Sequence, residues 1–121
     1  MDKFNIKDSH PNISRLERLF LEEGVLTKFK KNEYLVRQNE KTNQIGFIMS
    51  GMFRLSHIDA DANEWIVGYS FVNDFVCDYP SFIKQATSTV NIQATTECEV
   101  YLLSLNHVCR DIPTLIRFLL R

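Results

Sequence analysis

From Val25 to Ser104 the chain runs in short segments where apolar and polar residues alternate, and nearly every segment ends in a cluster of turn-forming residues. A period of two sends side chains to opposite faces, so the run predicts a succession of antiparallel strands with one face buried. Val25, Thr27 and Phe29 mark the first strand, which ends at Lys30, Lys31, Asn32 and Glu33. Residues 34–37 form a second strand before a polar turn over residues 39–43. Residues 45–49 are mostly apolar and read as a buried strand, and Ser50 with Gly51 folds it back into residues 52–58 as a hairpin. A polar loop over residues 59–63 precedes a strand over residues 64–71, with Trp65, Val67 and Tyr69 on one face. Val90, Ile92 and Ala94 alternate along a late strand, and residues 98–104 close the series after a turn at Thr95, Thr96 and Glu97.

The period is helical at both ends. Ile13, Leu16, Leu19 and Phe20 recur at helix spacing, which predicts a helix over residues 11–23 with Ser9 as N-cap, Pro11 in its first turn and Gly24 as its stop. After Leu105, Asn106 is expected to cap one short turn and Asp111 a second helix. Ile112, Leu115, Ile116 and Leu119 form an apolar stripe on that second helix. The expected fold is mainly β: an antiparallel double-stranded β-roll of the jelly-roll or cupin-like kind, flanked by an N-terminal helix and C-terminal helices. Residues 1–24 carry the first helix, 25–104 the roll and 105–121 the start of a further helix, all within one domain, since 121 residues close a single core.

Composition narrows the function. Fourteen basic against fifteen acidic residues leave a net charge of −1, which lacks the positive field that nucleic-acid binding needs. No run approaches the roughly 18 apolar residues of a membrane-spanning helix, and the polar N-terminus does not resemble a signal peptide, so a cytoplasmic setting without membrane contact is expected. Cys77, Cys98 and Cys109 are odd in number and far apart, as free thiols in a reducing compartment would be. His10, His57 and His107 lack ligand spacing, so no metal site is expected. Asp59, Asp61 and Asn63 are spaced like the start of a calcium loop, but Glu64 occupies the sixth position, where that loop needs glycine, and no glutamate occupies the twelfth.

The order of helix, short strands and amphipathic helix, together with residues 28–59, the segment NDFVCDYPSF (73–82) and the segment QATTECEVYLLS (93–104), resembles the N-terminal effector domain of the Crp/Fnr superfamily of bacterial transcription regulators. That resemblance implies an effector-sensing and dimerising module, cytoplasmic and without enzymatic activity, that reaches DNA only through a C-terminal helix-turn-helix domain absent from this chain. Ile112, Leu115, Ile116 and Leu119 would form the homodimer seam. In relatives that bind cyclic AMP, a glycine-glutamate pair receives the ribose hydroxyl and an arginine-serine pair clamps the cyclic phosphate, since an oxyanion in a half-closed roll needs a guanidinium fork. Here Cys77-Asp78 and Ser88-Thr89 stand at those places.

The resemblance therefore implies a degenerate site made of Phe75, Cys77, Asp78, Tyr79, Ser81, Ser88 and Thr89, with cyclic AMP disfavoured, no cofactor assigned and the small-molecule effector unknown. Pro80 also removes one N–H from the segment. Arg54 and Lys84 are the nearest cations in sequence, and both read as surface charges. Phe71, Phe75 and Phe82 flank the segment and could fill the pocket themselves. For Asp78 there is a plainer reading, as the cap of a short helix over residues 79–83. Two alternatives to a transcription regulator belong to other classes. One is a similar module that controls a protein partner. The other is a metal-dependent cupin enzyme, which needs two or three histidines on adjacent strands, where only His57 is found.

Overall fold

A computed structural model describes residues 5–6 and 13–111, with side chains from Ser14 onward except those of Phe82 and Ile83. The expected Ser9 and Pro11 helix start and the Ile112, Leu115, Ile116 and Leu119 stripe lie outside the described residues. Among those described, nine strands and three helices follow in the order β1 (Asn5–Ile6), α1 (Ile13–Glu23), β2 (Val25–Phe29), β3 (Tyr34–Val36), β4 (Gln44–Ser50), β5 (Phe53–Ile58), β6 (Glu64–Ser70), β7 (Phe75–Val76), α2 (Tyr79–Ile83), β8 (Asn91–Ala94), β9 (Cys98–Ser104) and α3 (Leu105–Asp111). The strands form two antiparallel sheets, ordered β1-β7-β4-β9-β2 and β3-β8-β5-β6. The mainly β roll read from the alternation is the fold observed.

The period-two rule explains how the layers stack. Along β9, Cys98, Val100 and Leu102 face the interior between the sheets, where they meet Val36, Ile48, Phe53, Leu55, Val76, Val90, Ile92 and Ala94. The intervening Tyr101 and Leu103 face the other way, toward Leu16, Leu19 and Phe20 of α1 and Leu105 and Val108 of α3. Strands β4 and β7 divide in the same manner: Ile45, Phe47 and Phe75 point to the helices, and Ile48 and Val76 point into the roll. The first sheet is thus covered on both faces. In β4, Gly46 leaves room for Val76, Val100 and Leu102, since a Cβ there would lie 2.8 Å from Val100 Cγ1. Gly51 turns β4 into β5 at a φ of 89°, a backbone region that L-residues avoid.

The turns fall where polar clusters predict them. Asn32, Asn39 and Asn73 adopt positive φ, as asparagine tolerates. The Val25 side of β2 is a correction: Val25 and Leu26 are exposed because β2 is an edge strand, and only Phe29 reaches the core, edge-on to Phe53 with centroids 5.5 Å apart. Ser104, not Asn106, caps α3, its Oγ accepting from the His107 N–H at 3.1 Å. Strand β6 is the other departure. It is also an edge, and its Trp65, Val67 and Tyr69 are exposed; they do not share the expected face, because a bulge at Val67 shifts the register and sends Trp65 and Tyr69 to opposite sides.

The loop between β5 and β6 uses its carboxylate for the turn. Asp59 accepts from Trp65 Nε1 and from the main-chain N–H groups of Asn63 and Asp61, each at 2.9 Å. The Trp65 bond, followed by the Asn63 bond, holds the Asp59 carboxyl below the usual carboxylate range. A lowered folded pKa adds stability that is fully present above the ordinary value of about 3.9 and is lost as pH falls through the folded value. Since Trp65 is the single tryptophan, acid titration of its fluorescence should show a local transition centred below that ordinary value. A midpoint at or above it would remove the Asp59 bond as its cause.

Candidate functional site

The segment after β7 continues the strand alternation into α2. This sends Phe75, Cys77 and Tyr79 to the helix side, where they join the cluster containing Phe20 and Leu105, and sends Asp78 to the roll side. The seven residues expected at the site therefore fall into two groups. Phe75, Cys77 and Tyr79 back the segment from behind, whereas Asp78, Ser81, Ser88 and Thr89 converge.

Their meeting point is the Asp78 carboxylate, which has no exposed surface. Its Oδ1 accepts the Ser81 N–H at 3.3 Å, the capping contact expected for α2. Its Oδ2 accepts the Ser81 hydroxyl at 2.9 Å, the Thr89 N–H at 3.1 Å and the Ser88 hydroxyl. Ser81 and Ser88 are buried as well. Ser88 is set in place through its main chain, with the Asn39 N–H donating to its carbonyl at 2.7 Å and its own N–H donating to the Glu40 carbonyl at 2.8 Å. Thr89 is held from β5, because its carbonyl can only accept and so receives the Nδ1–H of His57 at 2.7 Å. Sequence reasoning missed Asn39, Glu40 and His57 in this role. They lie 32 to 49 residues from Ser88 or Thr89, and nothing local signals the contact.

The remaining candidates lie elsewhere. Arg54 is engaged on the second sheet, 3.6 Å from Glu64 Oε2 and 3.3 Å from Gln93 Oε1, and Lys84 is exposed. Among the described residues no cation pairs with Asp78. Phe71 is exposed and Phe75 belongs to the helix-side core, so aromatic filling of the pocket does not come from these two; the side chain of Phe82 lies outside the description. The interior between the sheets is filled by Val90, Ile92, Leu55 and Val76 together with the buried ring of Phe53. A pocket of about 570 Å³ is lined by Ser81 together with Lys41, Thr42, Asn43, Gln85, Ala86 and Asn106. The histidine spacing that predicts no metal site does not anticipate that Glu23, His107 and Asp111 come together. His107 Nε2 lies 2.9 Å from Glu23 Oε1, a contact that ties α3 to the end of α1, and 3.3 Å from Asp111 Oδ2 on its own helix.

Burial pushes the Cys77 thiol far up, with the Asp78 carboxylate and then Cys109 adding to the shift; burial also raises Cys109. Thiolate is the reactive form, so Cys77 is a packing residue. With Cys98 also buried, Ellman's reagent at pH 8 should label the folded chain at Cys109 alone and all three thiols after denaturation. Rapid labelling of Cys77 in the folded chain would contradict this packing.

Residues 26–110 match the family model described as the cyclic nucleotide-binding domain. No curated protein matches the chain. Among solved structures, it is similar to the c-di-GMP responsive global regulator CLP of Xanthomonas campestris, at 21% identity over 88% of this chain and 54% of that one, with a TM-score of 0.71. It is also similar to the regulatory subunit of a cAMP-independent protein kinase A from Trypanosoma cruzi bound to guanosine, at 22% identity over 80% and 34% of the two chains and a TM-score of 0.71. A triple mutant of the Trypanosoma brucei counterpart, bound to cAMP, is similar at 21% identity over 78% and 35%, with a TM-score of 0.70. At these identities the likeness is one of fold, and the chain spans between 34% and 54% of the length of these proteins.

Proposed function

The chain belongs to the cyclic nucleotide-binding domain family, and on that premise we propose that it is the effector-sensing and dimerisation module of a Crp/Fnr-type bacterial transcription regulator, with a site that does not clamp a cyclic phosphate through arginine. The observation carrying this reading is the occupied state of Asp78, whose oxygens are taken by Ser81, Ser88 and Thr89, with no guanidinium beside them among the described residues. Each missing charge-assisted hydrogen bond is worth about 1.5–3 kcal/mol, or one to two decades of affinity. The neighbours point the same way. A cAMP-independent kinase subunit of this fold is bound to guanosine, and the mutant bound to cAMP has an arginine among its three substitutions.

In this reading the module acts in the cytoplasm as a homodimer through Ile112, Leu115, Ile116 and Leu119. DNA contact belongs to a helix-turn-helix domain, in keeping with the net charge of −1. Among the described residues no helix is long and apolar enough to cross a membrane. The reading assigns no catalytic step and no cofactor. A second reading, control of a protein partner, is favoured by one observation: Trp65, Val67 and Tyr69 leave exposed apolar surface on edge strand β6.

Calorimetric titration of cyclic AMP and cyclic GMP to millimolar concentration tests the site. No heat and no thermal shift are expected, and micromolar binding would overturn the arginine argument. Reading the coding sequence onward from Arg121 separates the two roles: a helix-turn-helix segment supports the first, and a kinase segment the second.

A further inference from the structure

We propose that Glu23, His107 and Asp111 form a binding site for a divalent transition-metal ion of the zinc type, a clasp that joins the end of α1 to α3. The inference goes beyond the effector-sensing reading and does not depend on what enters the roll.

The fold assembles these three groups from positions that are far apart along the chain. His107 and Asp111 stand four residues apart on α3, so their side chains share one face of that helix. Glu23 is the last residue of α1 and lies 84 residues from His107. It arrives because α1 and α3 cover the same face of the first sheet, with Leu16, Leu19 and Phe20 packed in one cluster with Leu105 and Val108. Two further contacts fix the α3 side. The Ser104 hydroxyl accepts from the His107 N–H at 3.1 Å, and Arg15 on α1 donates to the Asp111 carbonyl at 3.4 Å.

Both carboxylates address one ring nitrogen. His107 Nε2 lies 2.9 Å from Glu23 Oε1 and 3.3 Å from Asp111 Oδ2, and all three atoms fall within 4.8 Å of one another. A single N–H cannot point squarely at two oxygens, so at most one of them receives a well-aligned bond. A metal ion in the place of that proton serves all three atoms. Four-coordinate zinc, with bonds of about 2.0–2.2 Å, keeps its ligand atoms roughly 3.3–3.6 Å apart. The Asp111 oxygen already stands at that spacing, and Glu23, an exposed side chain at a helix end, needs only to swing back slightly.

The donor set selects the class of ion. One imidazole with two carboxylates suits zinc and its transition-metal neighbours, whereas calcium and magnesium call for oxygen donors alone. The two carboxylates also balance the charge of a divalent ion. Arg110 approaches the other Asp111 oxygen, Oδ1, at 3.5 Å and leaves Oδ2 to the metal. The side chains of His107 and Asp111 keep 26% and 34% of their surface exposed, so water can reach the fourth position.

The test is titration of Zn2+ against a chromophoric chelator with the tag-free chain and its Glu23→Gln, His107→Gln, His10→Gln and Cys109→Ser variants, each checked for folding by thermal unfolding. The wild type should take up one equivalent in the micromolar range, and millimolar Ca2+ or Mg2+ should not displace it. Glu23→Gln and His107→Gln should each lower the affinity at least about tenfold, while His10→Gln and Cys109→Ser stay within about twofold of wild type. If His107→Gln does not fold, Glu23→Gln decides alone, since that side chain is exposed. Absence of zinc binding in the wild type overturns the proposal, and so does zinc binding that survives in a folded Glu23→Gln or His107→Gln variant. Loss of binding in His10→Gln or Cys109→Ser would place the ion elsewhere and overturns it too. Displacement by Ca2+ or Mg2+ overturns the assigned class of metal.

Discussion

Replacing Phe20 by alanine is expected to destabilise the domain by about 3–5 kcal/mol. Phe20 is fully buried, at the place where α1 meets the first sheet. Its ring stands edge-on to Phe75 at 5.3 Å and tilted to Phe47 at 6.3 Å, and those two rings stack on each other at 4.6 Å as directly paired positions of β4 and β7. Leu16, Leu19 and Phe20 supply the apolar stripe of α1, and the Phe20 carbonyl also accepts from the Gly24 N–H at 2.9 Å to end the helix. The truncation removes the largest of these three side chains from a packed site on a scaffold of strands that cannot easily collapse into the space. Guanidinium unfolding should show a lower midpoint with an unchanged slope, while Leu21→Ala on the exposed face should stay within about 0.5 kcal/mol of wild type. A loss below about 1 kcal/mol for Phe20→Ala would mean that α1 is not part of the cooperative unit. The same cluster holds Cys77 and Tyr79, so the helix also backs the segment that presents Asp78.

The strands were legible wherever alternation met a turn signal. Ile45, Phe47 and Phe53 are core residues, Ser50 and Gly51 make the hairpin, and Val90, Ile92 and Ala94 point inward as expected. Strand β1 escaped notice because two residues carry no period. Alternation gives the phase of a strand but not what covers each face. The alternation puts Trp65, Val67 and Tyr69 on one face, yet a bulge at Val67 shifts the register, so Trp65 lies opposite His57 and Tyr69 opposite Arg54, on different faces, and all three are exposed. The same limit blurred the candidate site. The family resemblance groups Phe75, Cys77 and Tyr79 with Asp78, although a period of two sends them to the other side of the layer. What joins Asp78 to Ser88 and Thr89 is a loop closure, and what fixes Ser88 and Thr89 is main-chain bonding to Asn39 and Glu40 and a bond from His57. Such long-range bonds leave no local mark on composition or spacing.

Asp78→Ala should cost about 3–7 kcal/mol before any offset from desolvation, because it leaves the buried Ser81 hydroxyl and the Thr89 N–H without their acceptor at roughly 1–3 kcal/mol each, on top of about 1 kcal/mol for the lost cap of α2. Ser88→Ala removes a donor instead of the shared acceptor, so a smaller loss of about 1–2 kcal/mol is expected. Its hydroxyl also receives the Val90 N–H at 3.2 Å, which would then need another partner. The opposing effect is the cost of keeping a carboxylate dry, and for buried charges that cost can exceed the bonds they make. Thermal unfolding of the two single variants and the double variant decides which effect wins. A coupling of about 0.5–3 kcal/mol between the two positions is expected if Asp78 and Ser88 stabilise the fold through each other. An Asp78→Ala variant as stable as wild type would mean that desolvation cancels the hydrogen bonds, and that this carboxylate is kept at a net cost to the fold.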